Sequence, residues 1–254
     1  MSSPSKRTKV SKTKVEAGGT GDSKKQFFPD VGKIAYKPDA GPEETMTFKH
    51  YNATEVVQGK TMEEWLRFSV CFWHTFRGTG ADPFGAPTMT RAWEDNSNSM
   101  DNAKQRLRAA FEFMSKLGVK HWTFHDRDIA PEGADLEESN HNLDEMVQLA
   151  ADLQKQTGIQ LLWATCNLFS HPRYMNGAAT NPDAHVVAYA AAQVKKGLNV
   201  AKKLGAQNFV VPGVAGKATR VYSTQTCLLN SPTWPASSRW LLLTKRRLAS
   251  KASF

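Results

Sequence analysis

The sequence predicts an α/β layer structure built on parallel strands, and three observations carry that prediction. From about residue 99 the chain repeats one unit: an amphipathic helix, a glycine stop, an apolar run and a polar loop. The apolar runs are continuous rather than alternating, which is how parallel strands covered by helices read. The first two runs end in polar side chains, where parallel α/β folds carry their chemistry. Right-handed crossovers then leave either an open sheet or a barrel.

The elements follow in order. Residues 27–98 are rich in aromatics and broken by Pro and Gly, with a short helical stretch expected near Thr61 to Phe76. "RGTGADPFG" (77–85) holds two close glycines but follows no strand, so it reads as a loop rather than a phosphate cradle. Ser99 or Asp101 can cap a helix running to about Leu117, with Leu107, Ala110, Phe111, Phe113 and Met114 on one face. Gly118 stops it, and "VKHWTF" reads as a strand. Asn142 to Thr157 reads as the second helix, with Leu143, Met146, Val147, Ala150 and Leu153 inward; Gly158 ends it before the strand "IQLLWATCNLF". Pro182 to Leu204 is the third helix, Gly205 its stop, and "AQNFVVPG" the third strand.

Composition narrows the function. The net charge of +9 sits at the ends: residues 1–25 carry +5 and residues 213–254 carry +7, leaving −3 for residues 26–212. Charge confined to two end segments is not an organised binding face, so no nucleic-acid partner is expected. No window approaches the roughly 18 apolar residues of a membrane span, so no membrane partner is expected either. Three cysteines, Cys71, Cys166 and Cys227, form no CxxC pair, which suits a reducing compartment. Residues 1–25 are rich in Ser and Lys, lack a secretory apolar core and are expected to be a disordered basic tail. The cytoplasm is the expected compartment, with organelle targeting by that tail left open.

The stretch "KHWTFHDRDIAPEG" (120–133) points to a site. A strand-end His125 beside Asp126 or Asp128 can be held in one tautomer and carry a proton near neutral pH. The same spacing suits a purely structural His–Asp hydrogen bond, and spacing does not separate the two. Arg127 reads as a surface ion-pair partner of Asp126. The second strand exits through Asn167, Phe169 and His171 into a long polar loop, a common place for function. The cluster Trp73, His74 and Phe76 reads by itself as core.

The blocks "FKHYN" (48–52), "GKTMEEWLRF" (59–68), "FWHTFRGTGADPFG" (72–85), "FHDRDIAPEG" (124–133), "LLWATCNLFSHPRYMNGAATNPD" (161–183) and "AAAQVKKGLNVAKKLGAQNFV" (190–210) resemble the xylose isomerases of the longer-chain class. The resemblance runs from Phe27 to about Val211. It implies the N-terminal part, about three βα units, of an incomplete (β/α)8 TIM barrel. It implies interconversion of D-xylose and D-xylulose, with D-glucose and D-fructose as further sugars, in a homo-oligomer with two divalent metal ions, commonly Mg²⁺, Mn²⁺ or Co²⁺. By resemblance His125 and Asp128 are catalytic in opening the sugar ring. Trp73, Trp163 and Phe169 line the substrate pocket, Thr165 lies at its edge, and Phe84 is contributed to a neighbouring subunit's site.

The resemblance stops near Pro212, where the family continues "WGGREGY" and later supplies its metal-ligand carboxylates. Residues 213–254 contain no Asp or Glu, whereas a hard divalent ion needs several oxygen ligands. No metal ligand is therefore expected in this chain. Gly213-Val214-Ala215 written GGG-GTG-GCC after a T becomes TGG-GGT-GGC when read one base earlier, and the family-like reading can be continued to the end. Residues 213–254 are thus expected to be an out-of-frame tail. The chain is expected not to be a stable, active enzyme alone. The alternative is a catalytically dead module that docks on full-length subunits through its oligomer interface.

Overall fold

The computed structural model describes residues 25–211. The expected tail over 1–25, apart from its last residue, and the expected out-of-frame stretch 213–254 lie outside the described residues.

Two small ribbons come first: β1 (Ala35–Tyr36) with β2 (Thr47–Phe48), and the hairpin of β3 (Val56–Val57) with β4 (Lys60–Thr61). Then follow α1 (Met62–Trp65), β5 (Ser69–Cys71), α2 (Phe72–Phe76), α3 (Met100–Leu117), β6 (His121–His125) and α4 (Asp126–Ile129). The chain continues through α5 (Leu136–Thr157), β7 (Gln160–Thr165), a 3-10 turn (Pro172–Tyr174), α6 (Ala184–Lys203) and β8 (Asn208–Phe209). The sheet is parallel, in the order β5-β6-β7-β8, with α3, α5 and α6 making the crossovers. Sequential parallel strands joined by helices are what the barrel expectation requires.

The long helices form where capping and periodicity agree. Ser99 caps α3, its hydroxyl accepting from the Asn102 N–H at 3.2 Å. Asp135 caps α5 in the same way, accepting from the Glu138 N–H at 2.8 Å. Gly118 (φ +79°) and Gly158 (φ +74°) end these two helices in the left-handed conformation that other side chains resist. The second helix starts six residues before its expected Asn142, because polar side chains in its first turns conceal the periodicity and Asp135 supplies the cap. The third begins at Ala184 rather than Pro182, since Asp183 caps it by accepting from the His185 N–H at 2.8 Å.

One expectation is corrected. The stretch Thr61 to Phe76 is not one helix but two short ones flanking β5, so the sheet has four strands where three were read. Three residues between helical turns carry no usable alternation, and only pairing with β6 makes Ser69–Cys71 a strand.

The core lies between the sheet and the helices. Trp122 is buried, stacks on Phe124 at 4.9 Å between ring centroids and meets Phe111 edge-on at 5.3 Å. Leu107, Ala110, Met114, Leu143, Met146 and Val147 are all fully buried around them. A smaller cluster under α6 contains Cys166, Leu168, Tyr174, Ala190 and Val194. Alternation sends Trp122 and Phe124 to this helix side and His121, Thr123 and His125 to the other face. That second face is only half covered among the described residues: Ser69, Cys71, His121 and Trp163 remain partly accessible. The expectation of strands buried on both faces is thus met on one face only.

Arg67, just before β5, donates from Nη1 to Gln207 Oε1, just before β8, at 2.8 Å, which ties the amino ends of the two outer strands. Among the described residues, no helix is long and apolar enough to cross a membrane.

Candidate functional site

A cavity of about 480 Å³ opens at the carboxyl ends of the strands. It is lined by Trp73, His125, Asp128, Trp163, Thr165 and Phe169, together with Asn167, Ser170 and Val210. Six of the seven site residues singled out in the sequence therefore meet in one place. The seventh, Phe84, does not: it lies in the 77–85 loop, 99% exposed, and touches no part of this cavity.

The strand register brings the groups together. His125 is the last residue of β6 and pairs with Thr165, the last residue of β7, so both side chains leave the same rim of the sheet. The chain then turns into α4, and Asp128 folds back. Its Oδ2 accepts from the His125 backbone N–H at 3.0 Å and lies 2.7 Å from His125 Nδ1. An ionised carboxylate only accepts, so this pairing puts the ring proton on Nδ1 and leaves Nε2 an acceptor. Trp73 meets the imidazole edge-on at 4.5 Å and Phe169 at 5.5 Å, while Trp163 lies 5.4 Å from Trp73. The imidazole is thus oriented by a carboxylate and walled by aromatic rings. Thr165 is 3% exposed, and its Oγ1 has no hydrogen-bond partner among the described residues.

Behind this rim sits a buried polar network that the sequence did not announce. Asp126, 2% exposed, accepts from the Asn167 N–H at 2.7 Å, the Arg127 N–H at 2.9 Å and Gln193 Nε2 at 2.7 Å. Gln193 Nε2 also donates to the Asn167 carbonyl at 3.1 Å, and Gln193 Oε1 accepts from the Tyr174 hydroxyl at 2.7 Å. The network pins the start of the loop after β7, which carries Asn167, Phe169 and Ser170 into the cavity wall. Burial pushes the Asp126 carboxyl above its ordinary range, against the opposing pull of Arg127 and of its donors. Burial likewise pushes up the Cys166 thiol, beside Asp126, and the Tyr174 phenol. One signal could have found Gln193: it is a polar residue on the buried stripe Ala190, Gln193, Val194, Gly197 of α6.

Other readings from the sequence take their places. Of the cluster expected to be core, only Phe76 is buried there; His74 is exposed and Trp73 faces the cavity. His171 caps the 3-10 turn, its Nδ1 accepting from the Arg173 N–H at 3.1 Å. Among the described residues Arg127 makes no surface ion pair, and its Nε and Nη1 are buried without a hydrogen-bond partner. Among those residues no three of His, Cys, Asp or Glu come close enough together to hold a metal ion.

Comparison with known proteins gives one consistent answer. No protein-family model matches the chain. A xylose isomerase of Hordeum vulgare is 58% identical over 190 residues, covering 74% of this chain and 39% of that protein. One of Arabidopsis thaliana is 56% identical over 187 residues, 74% of this chain and 39% of that protein. One of Caldicellulosiruptor bescii is 52% identical over 190 residues, 74% of this chain and 43% of that protein. The chain therefore spans about two fifths of the length of the curated relatives it matches. Identity at this level along so long a stretch, on a parallel sheet of the expected order, places the chain in the xylose isomerase family.

Proposed function

We propose that this chain carries the sugar-binding and ring-opening part of an aldose–ketose isomerase acting on D-xylose and D-xylulose, and that alone it does not complete the isomerisation. The observation that carries the reading is the His125–Asp128 pair facing an aromatic-walled cavity. His125 Nε2 accepts the proton of the anomeric hydroxyl as the bond from the anomeric carbon to the ring oxygen breaks, and the imidazolium so formed returns that same proton to the ring oxygen. Asp128 holds the tautomer that this transfer needs. Trp73, Trp163 and Phe169 exclude water and stack against the sugar's apolar face; Thr165 lies at the edge of the pocket.

The family implies divalent metal ions. The residues present do not fit them. The polar groups at the cavity are His125, Asp128, Thr165, Asn167 and Ser170, Asp128 is engaged with His125, and no three-ligand cluster exists among the described residues. A hard ion takes about six oxygens, so no step through a metal is assigned to these residues. The same reading treats 26–212 as the isomerase portion and 213–254 as out-of-frame chain, with a homo-oligomeric, cytoplasmic setting and no nucleic-acid partner.

The test is NMR of D-xylose with the purified 254-residue chain. The expected result is faster exchange between α- and β-anomers, abolished in His125→Asn, with no D-xylulose formed in the presence of Mg²⁺. Anomer exchange that is indifferent to His125→Asn overturns the ring-opening role, and D-xylulose formation overturns the claim that the chain alone does not complete the isomerisation. A second reading, a catalytically dead interface module, is favoured by the exposure of Phe84. It predicts that the chain co-purifies with intact xylose isomerase subunits, and that Phe84→Ala weakens the association.

A further inference from the structure

We infer that Arg173 is a positioning residue for the His125 site: it locks the loop after β7 to the segment after α4, and so sets Phe169 against the imidazole. The inference rests on the ring-opening reading for its effect on rate, but not for the geometry it invokes.

Two segments build the wall around the imidazole. One runs on from β6 through Asp128 to Glu132, and the other from β7 through Phe169 to Tyr174. Their bases are joined where the Asn167 N–H donates to Asp126 at 2.7 Å. Phe169 lies two residues beyond that bond and meets the imidazole edge-on, 5.5 Å between ring centroids. Tyr174 ties the far end of the same loop to α6, its hydroxyl donating to Gln193 Oε1 at 2.7 Å. Arg173 adds the lateral tie: its Nη1 donates to Glu132 Oε1, four residues beyond Asp128.

This pair differs from a casual surface contact. The side chains of Arg173 and Glu132 are only 25% and 23% exposed, so water screens them less than it does a surface pair. Each partner also stands on a fixed backbone. The Pro131 carbonyl accepts from Asn142 Nδ2 at 3.3 Å, and the Gly133 N–H donates to Ser139 Oγ at 2.9 Å. The Arg173 N–H donates to His171 Nδ1 at 3.1 Å. The guanidinium carbon lies 3.9 Å from the centroid of the Tyr189 ring on α6. A planar guanidinium can rest on a ring with its face while its edge donates to a carboxylate, which an ammonium does less well. One side chain thus joins the segment after α4, the loop after β7 and α6.

The test uses NMR of the 254-residue chain, labelled at His and Phe, with Arg173→Met, Glu132→Gln and Lys104→Met. The last removes another ion pair, Lys104 with Glu145 at 2.7 Å between α3 and α5, and lines no part of the cavity. The expected result is a nuclear Overhauser contact between the His125 and Phe169 rings in wild type and Lys104→Met. That contact is lost in Arg173→Met and weakened in Glu132→Gln, whose amide oxygen still accepts. His125-dependent anomer exchange of D-xylose falls about tenfold or more in Arg173→Met and is unchanged in Lys104→Met. A merely structural role would lower the unfolding midpoints of Arg173→Met and Lys104→Met alike and leave the ring contact in place. The inference is overturned by a ring contact that survives in both site variants, that is lost in Lys104→Met as well, or that is absent from the wild type. Loss of the contact with anomer exchange unchanged overturns it too. Should Arg173→Met not fold, Glu132→Gln decides by the same contact. A wild-type chain that shows the ring contact but no His125-dependent exchange overturns the ring-opening reading, and loss of the contact in Arg173→Met then still upholds the positioning.

Discussion

Replacing Asp126 by Asn tests whether the buried network behind the cavity works through donor–acceptor matching. Every neighbour of the carboxylate donates to it: two backbone N–H groups reach Oδ1, and Gln193 Nε2 reaches Oδ2. Asn keeps a carbonyl for the backbone donors but points an amide at Gln193, so two donors confront each other. Turning Gln193 over cures that contact, and Tyr174 can then accept instead of donate. The turn nevertheless sacrifices the bond from Gln193 Nε2 to the Asn167 carbonyl. Either arrangement loses one buried bond, worth about 1.5–3 kcal/mol when an ionised group takes part. Removing a desolvated charge offsets part of that, since burial raises the carboxyl. The expected net loss is about 1–2 kcal/mol at neutral pH.

The assay is urea unfolding followed by tryptophan fluorescence across a pH series. The sign follows from linkage: a carboxyl raised in the folded state binds its proton more tightly there than when unfolded. On acidification through that raised range Asp126 therefore adds stability that Asn cannot, and the gap between wild type and variant widens. Other carboxylates titrate alike in both proteins and cancel. A gap of zero at neutral pH, or one that narrows on acidification, refutes the reasoning.

The remaining predictions concern packing, capping and exposure. Gly197→Ala is expected to destabilise by about 1–2 kcal/mol, read as a lower urea midpoint. An interior Gly→Ala change ordinarily gains about 0.5–1 kcal/mol, but here the new methyl would press into buried Cys166 Sγ and lie 3.2 Å from the Phe209 ring. Ser99→Ala removes the hydroxyl that caps α3 and is expected to cost about 1 kcal/mol in the same assay. Phe84→Ala is expected to leave the unfolding midpoint of the chain unchanged within about 0.5 kcal/mol, because the side chain is 99% exposed. A larger shift would mean that Phe84 packs within its own chain.

Local signals were legible where each residue reports its own surroundings. The helices α3, α5 and α6 were readable because apolar spacing, a capping Ser or Asp and a glycine stop coincide within one segment. The His125–Asp128 pair was readable because three residues of a short turn bring its members together, and the motif blocks carried the family. Boundaries were less legible: the polar first turns of α5 obscured its start, and β5 is too short to alternate.

What the sequence by itself determined is thus the family, the parallel α/β class and six residues that share a cavity, all written in short-range pattern or in long motif matches. Tertiary structure alone decided that Ser69–Cys71 is a strand, because pairing with β6 makes it one. It also decided that Gln193 and Asp126, 67 residues apart, meet in a buried network behind the site, and that Arg67 and Gln207, ahead of the two outer strands, are hydrogen-bonded to each other. Strand pairing and buried hydrogen bonds between distant segments depend on the curvature of the sheet and the docking of helices on it, and no local pattern encodes a partner so far along the chain.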